Sequence, residues 1–258
     1  MCVKILIAAH KPYWMPEDSA YLPVQVGAVG KPGLGFRRDD EGENISAKNA
    51  NWCELTGLYW AWKDGWGERA EEGGVVGLVH YRRHFRGRDG VLSKGEIEGL
   101  LGEADAILPR KRNYFIETTY SQYAHAHHAA DLDVTRTILQ ERCPEYVPFW
   151  DASMKLTSGH RFNMFIMRRT LADRYCEWLF DILFELERRL DVADYSPYDA
   201  RVFGFVSERL LDPWLAKNGI KYVEVPVLCL ENQHWGVKIM NFLLRKLKLG
   251  GRRFLIFC

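Results

Sequence analysis

Val75-Val76-Gly77-Leu78-Val79-His80-Tyr81-Arg82-Arg83-His84-Phe85 is the stretch on which the fold turns. Five apolar residues, three of them valine, run straight into an imidazole, a phenol and two guanidiniums. The apolar part reads as a buried strand, and in an α/β sheet the carboxyl ends of the strands are where ligands bind. Arginine suits phosphate there, because its planar fork donates two parallel charge-assisted hydrogen bonds. Adjacent strand residues point to opposite faces, so only one of Arg82 and Arg83 is expected to reach such an anion. The competing reading is a strand whose exit residues are merely solvated.

Working outward, residues 3–9 read as a second buried strand, residues 104–109 as a third stopped by Pro109, and residues 162–167 as a fourth. Residues 22–26 suit a short extended piece, and residues 222–227 an edge strand, demoted to the edge by Pro226. Between them lie helical patterns. Ser46 is placed to cap a helix that ends near Lys63-Asp64-Gly65, and Ser93 to cap one running to Leu101. Residues 125–141 read as largely helical and residues 171–190 as a long amphipathic helix, with Pro197 opening a last one to Lys217. Strands alternating with helices along the whole chain predict an α/β fold, with a mostly parallel central sheet flanked by helices. One domain over 1–235 is expected, followed by a basic amphipathic tail over 236–258.

Composition narrows the class. The chain has 258 residues, 47% hydrophobic and 27% charged, which is ordinary for a globular protein. A net charge of +1 supplies no field for nucleic acid. Six cysteines without CxxC spacing read as reduced thiols rather than a disulfide framework or a zinc site. No signal peptide or bilayer-spanning run is read, so a cytoplasmic location is expected, at most peripheral to the inner membrane face. There is no GxGxxG after the first strand and no GxxxxGK[ST], which removes the dinucleotide-fingerprint and P-loop readings. Nine tryptophans suit sugar-binding surfaces, and equally a core. After Glu231 every charged residue is basic: Lys238, Arg245, Lys246, Lys248, Arg252 and Arg253. Interleaved with Ile239, Phe242, Leu243, Leu244 and Leu247, they read as a membrane-surface helix or as a helix docked on the domain.

Several phrases together resemble a known family. Asn44-Ile45-Ser46, Asn49, the run from Glu54 to Lys63 and Gly77-Leu78-Val79-His80-Tyr81-Arg82-Arg83 are similar to the capsular and exopolysaccharide biosynthesis glycosyltransferases of the domain-of-unknown-function 4422 family. Asn163-Met164-Phe165-Ile166-Met167, Tyr175 to Phe180 and Arg201 to Leu211 continue the resemblance in order. It implies a single GT-A-like, Rossmann-like domain. It also implies transfer of one sugar from a UDP-sugar donor, galactofuranose in some relatives, to a lipid-linked bacterial surface glycan. The GT-A pattern usually carries Asp-x-Asp at the end of the central strand to hold Mn or Mg on the diphosphate. Here His80-Tyr81-Arg82 stands at that point, so arginine is expected to neutralise the phosphate and a metal is doubted. Asp131-x-Asp133 has the literal spacing but reads as helix capping. The missing Asp-x-Asp also leaves open a catalytically inactive sugar-binding subunit.

The candidate site follows. Arg82, supported by His80, Tyr81 and Arg83, is expected at the leaving diphosphate. Ala8, His10 and Lys11, with Asn49, are expected at the nucleotide, and Glu54 is read either as near the donor or as the edge of a core helix. Asp199 and Glu208 are the candidate bases. Asp199 alternatively caps a helix, and Glu208 alternatively pairs with Arg201 or Arg209. Asn163, His160 and Trp150 are expected on the acceptor side, with Arg161 beside His160 able to serve the same hydroxyls. The cluster His125-x-His127-His128 reads as polar surface rather than as a metal site.

Overall fold

The computed structural model describes residues 2–66 and 73–231. Its strands are β1 (Val3–Ala9), β2 (Tyr21–Gln25), β3 (Arg37–Arg38), β4 (Val75–His80), β5 (Arg83–Gly87), β6 (Gly90–Val91), β7 (Ala106–Pro109), β8 (Arg112–Asn113), β9 (Ser158–Gly159), β10 (Phe165–Arg168), β11 (Tyr222–Val225) and β12 (Val227–Cys229). Its helices are α1 (Asn49–Trp52), α2 (Leu55–Lys63), α3 (Lys94–Leu100), α4 (Thr119–Ala126), α5 (Ala129–Arg142), α6 (Val147–Lys155), α7 (Arg169–Arg189) and α8 (Val202–Lys217). The main sheet runs β11-β7-β10-β4-β1-β2-β3, and β10 is antiparallel to both of its neighbours while the other pairings on this path are parallel.

Period-two alternation sends each strand's side chains to two cores. Leu6, Leu78, Leu108 and Phe165 face the larger layer of α2, α5, α6, α7 and α8, while Ile5, Ile7, Val79, Ile107 and Ile166 face the smaller layer closed by α3. On α7, Ala172, Tyr175, Cys176, Leu179, Leu183 and Leu186 recur at helical spacing and are all buried. Ser93 caps α3 with a full capping box, its hydroxyl taking the Glu96 amide. Gly77 is required where β10 crosses β4, because a Cβ there would stand 2.6 Å from the Phe165 carbonyl oxygen.

Four local expectations are corrected. The single helix expected from Ser46 to about Lys63 is broken into a 3₁₀ turn, α1 and α2, because Cys53 takes φ 54° and turns the chain between α1 and α2. Ser46 caps nothing: it is buried, and its hydroxyl donates to Asp39. Residues 162–164 precede β10 in a left-handed turn, with φ 76° at Phe162 and 53° at Asn163. Pro197 lies ahead of a 3₁₀ turn at Asp199–Arg201, and α8 starts only at Val202. The tryptophans mostly build core, with Trp52, Trp66, Trp150 and Trp214 fully buried and Trp14 exposed. The C-terminal tail falls outside the described residues.

Candidate active site

The chain turns at the carboxyl edge of the parallel strands. β1 ends at Ala9 and exposes His10 and Lys11, and β4 ends at His80 beside it. Because β10 is antiparallel, its approach turn Phe162-Asn163 arrives at this same edge. The Cys53-Glu54 turn and the first half of α8 close over it, through Asn163 Nδ2 donating both to Glu54 Oε1 (2.6 Å) and to the Gly204 carbonyl (3.1 Å).

These contacts form one continuous network. Ser207 donates to Asn163 Oδ1 (2.8 Å), so the Asn163 amide is engaged at both ends. His80 Nε2 lies 2.5 Å from the Phe162 carbonyl and 4.0 Å from Glu54 Oε1. A carbonyl only accepts, so Nε2 carries the proton; burial holds the His80 pKa down and keeps the ring neutral. Glu208 accepts the Phe162 amide on one oxygen (2.9 Å) and Arg209 Nη1 on the other (2.9 Å). Among the described residues, three of the five non-glycine residues with positive φ, namely Cys53, Phe162 and Asn163, lie in this network. Strained backbone held by surrounding hydrogen bonds is characteristic of functional sites.

Next to it is a concentration of cations. Desolvation and the charges of Arg82, Lys11, Lys31 and Arg201 all push the His10 pKa below its ordinary value. Tyr81 and Arg82 form the two-residue turn between β4 and β5, with His80 opposite Arg83. The arginines diverge there. Arg82 packs on the Tyr81 ring and donates to Glu231 Oε2 (3.0 Å), whereas Arg83 lies over the Phe162 ring at 4.8 Å. Lys11 sits over the Tyr13 and Tyr81 rings. A cleft of about 420 Å³ lined by Tyr13, Trp14 and Leu230 opens beside them. Arg201 Nε donates to Cys53 Sγ (3.1 Å), while burial and the adjacent Glu54 push that thiol up to about 12, so it stays protonated.

Asp199 stands on the flank. It accepts from His127 Nδ1 (3.1 Å) and from Ser196 Oγ (2.7 Å). Burial pushes its carboxyl up, but the Ser196 and His127 hydrogen bonds and the neighbouring histidines outweigh this and leave it below the usual carboxylate range. His127 stacks on Phe205 and Tyr198, and burial with the nearby Arg209 charge lowers it to about 4.

The structure therefore brings together His10, Lys11, His80, Tyr81, Arg82, Arg83, Asn163 and Glu208, with Asp199 one layer away. Four expected residues are elsewhere or occupied. Ala8 is buried inside the sheet, and its carbonyl accepts the Tyr81 amide. Asn49 braces the Cys53 turn by donating to the Cys53 carbonyl and to Thr56 Oγ1, and it packs against Gly27, whose φ of 60° leaves no room for a Cβ. Trp150 is 1% exposed in the core of α6, so it is not an acceptor platform. His160 is fully buried against Asp212 and likewise cannot meet an acceptor.

Among the described residues no group of three or more His, Cys, Asp and Glu side chains stands close enough to hold a metal ion. Asp131 is buried and accepts from the Tyr123 and Tyr195 hydroxyls, whereas Asp133 accepts from Tyr120. His125 pairs with Glu117, away from the Asp199 pair of His127 and His128. Engaged in these separate pairs, they do not form a ligand set for a diphosphate-bound metal.

One structural residue, Asp39, escaped sequence reasoning, and another, Arg161, was expected at the sugar beside His160 but is buried as a brace. Asp39, fully buried, accepts four hydrogen bonds, from the amides of Gly27 and Ala28 and the hydroxyls of Ser46 and Thr56. It ties the segment after β2 to α2 and so sets the Cys53-Glu54 turn. Arg161, buried, donates to the Tyr114 hydroxyl, Thr119 Oγ1 and the Glu208 carbonyl. Neither carries a motif. Only its burial, which no spacing encodes, marks it.

One solved structure, "WbbM bifunctional glycosytransferase apo structure", superposes with a TM-score of 0.81 at 28% identity over 90% of this chain. The chain spans 46% of that protein, so it is similar to somewhat less than half of it. No curated protein matches. The family described as "Domain of unknown function (DUF4422)" matches residues 4–219, through every strand of the main sheet up to β10 and through α8. The chain belongs to the DUF4422 family.

Proposed function

We propose that this protein is a glycosyltransferase that moves a sugar from a UDP-sugar, galactofuranose being the first donor to try, to a growing lipid-linked bacterial surface glycan. The observation that carries the reading is that the charges of Arg82, Lys11, Lys31 and Arg201 all act on His10 at the end of β1, while Arg201 also feels the carboxylate of Glu54, which the Asn163 turn holds at the same edge. Inverting glycosyl transfer uses that pairing: cations to stabilise the departing diphosphate, and a base for the acceptor hydroxyl. The likeness to one part of a bifunctional glycosyltransferase supports the reaction class.

Arg82 meets the diphosphate, displacing Glu231, with Lys11 and Arg201 adding charge. The Tyr13–Trp14 cleft offers aromatic faces to the nucleobase or sugar. The acceptor oxygen attacks the anomeric carbon, the bond from that carbon to the phosphate oxygen breaks, and UDP leaves with the electron pair. The acceptor proton passes to a carboxylate. Glu54 suits this role best, because Asp199 and Glu208 each have both oxygens engaged by protein donors, whereas Glu54 is held through Oε1 by Asn163. Glu208 then positions the Phe162 turn, and Asp199 orients His127.

The test is release of UDP from UDP-galactofuranose, UDP-galactose and UDP-glucose, with and without a synthetic lipid-linked acceptor and with and without EDTA. Acceptor-dependent UDP release that survives EDTA is expected. Donor binding with no turnover under any of these conditions would instead favour an inactive sugar-binding subunit.

A further inference from the structure

The loop from Asn113 to Thr118 presents large apolar side chains to solvent. Phe115 is 79% exposed and Ile116 57%, and the neighbouring Leu156 is 52% exposed. This is not a slack segment. Asn113 Oδ1 accepts the Phe115 amide (2.7 Å), Thr157 accepts the Tyr114 amide, Leu156 accepts the Thr119 amide, and Thr118 opens α4 with a full capping box. Phe115 itself sits at φ 57°, a conformation unfavourable for a bulky side chain. The fold thus holds an aromatic ring outward in a strained turn, at the expense of burying it. An exposed apolar cluster of this kind marks an interaction surface.

The charges around it identify the partner. Arg112 on β8 and Lys155 at the end of α6 are exposed beside the cluster, and Arg110 and Lys111, also exposed, lead into β8, with Lys111 donating to the Tyr222 hydroxyl. The acidic groups nearby are already engaged: Glu117 is buried against His125, Asp133 accepts from Tyr120, and Glu224 stands 4.0 Å from Lys111. A basic rim around protruding Phe and Ile suits insertion among anionic headgroups. Every charged residue after Glu231 is basic, so the tail offers this rim no opposite charge. We infer that the loop carrying Phe115 and Ile116 is a membrane-docking wedge for an anionic lipid surface.

The wedge is joined to the candidate active site. Arg161 donates to Tyr114 at its base and to the carbonyl of Glu208. Delivery of a lipid-borne acceptor by this route rests on the glycosyltransferase reading above, but the membrane contact does not.

The experiment is co-sedimentation of the full chain with vesicles of phosphatidylethanolamine and phosphatidylglycerol, and with phosphatidylcholine vesicles. F115S/I116S is expected to weaken partition onto the anionic vesicles by about tenfold or more, with the unfolding temperature unchanged. R112E/K155E is expected to weaken it further at low salt than at high salt. The tail variant R252E/R253E should keep the dependence on Phe115 and Ile116. Equal partition of F115S/I116S and wild type, or equal binding to both vesicle types, overturns the inference. So does a wild-type dimer in solution that F115S/I116S converts to monomer, which would assign the patch to a second copy. UDP release is scored separately, so failure of the enzyme reading leaves the vesicle result intact.

Discussion

Replacing Arg82 with alanine separates a site residue from a structural one. In the fold Arg82 makes one ion pair, Nη1 to Glu231 at 3.0 Å, with the two side chains 23% and 35% exposed. A partly exposed pair of this kind contributes about 0–1 kcal/mol, so the unfolding temperature should move by no more than about 2–4 °C. Its charge-assisted hydrogen bond to a diphosphate is worth about 1.5–3 kcal/mol, which corresponds to a roughly 10- to 150-fold loss of UDP affinity. Glu231 is the control. Because it occupies Arg82 when no anion is bound, Glu231→Gln removes a competitor, and UDP affinity should rise. Calorimetric titration with UDP, at low and at moderate salt, reads both. Wild-type affinity in R82A, or weaker binding in E231Q, would refute the assignment of Arg82 to the diphosphate. A large loss of thermal stability in R82A would refute the claim that the residue is dispensable to the fold.

Glu54→Gln keeps the Asn163 hydrogen bond in reach but removes the base, so turnover should fall by about 10²–10⁴-fold while UDP affinity is retained; single-turnover kinetics with bound donor checks this. Asp39→Ala leaves the Gly27 and Ala28 amides and two hydroxyls without their acceptor, and a loss of about 3–5 kcal/mol is expected in urea unfolding. Burial lowers both His84 and His127 to about 4. Each therefore favours the fold while neutral, and that contribution, complete above about pH 6.5, is lost as pH falls towards 4. His84→Leu should flatten the acid side of the stability profile measured by thermal unfolding, and an unchanged profile would show that His84 does not titrate in this window.

The strand run ending in His80-Tyr81-Arg82-Arg83 was legible from composition alone, and so were β1, β7, α3 and α7. Each has a strong local period or a capping residue whose effect is confined to a few neighbours. The breaks were not. A helix through Cys53 is what the apolar spacing from Trp52 to Trp62 favours, yet Asp39, Asn49 and Gly27 force a turn there. Asn163 reads as the first residue of a strand, but its amide is pulled into a left-handed turn between Glu54 and Ser207.

The sequence by itself determined the α/β class, the strand carrying the two arginines and the family. Those depend on side-chain order along single elements. Tertiary structure decided that the Cys53-Glu54 turn closes on Asn163, that Arg82 and Arg83 part company, and that Trp150 and His160 are buried. Those depend on contacts across as many as 149 residues of chain, as between Arg82 and Glu231. Local periodicity carries no information about such contacts, because they follow from how packed layers bring distant turns to one edge of the sheet.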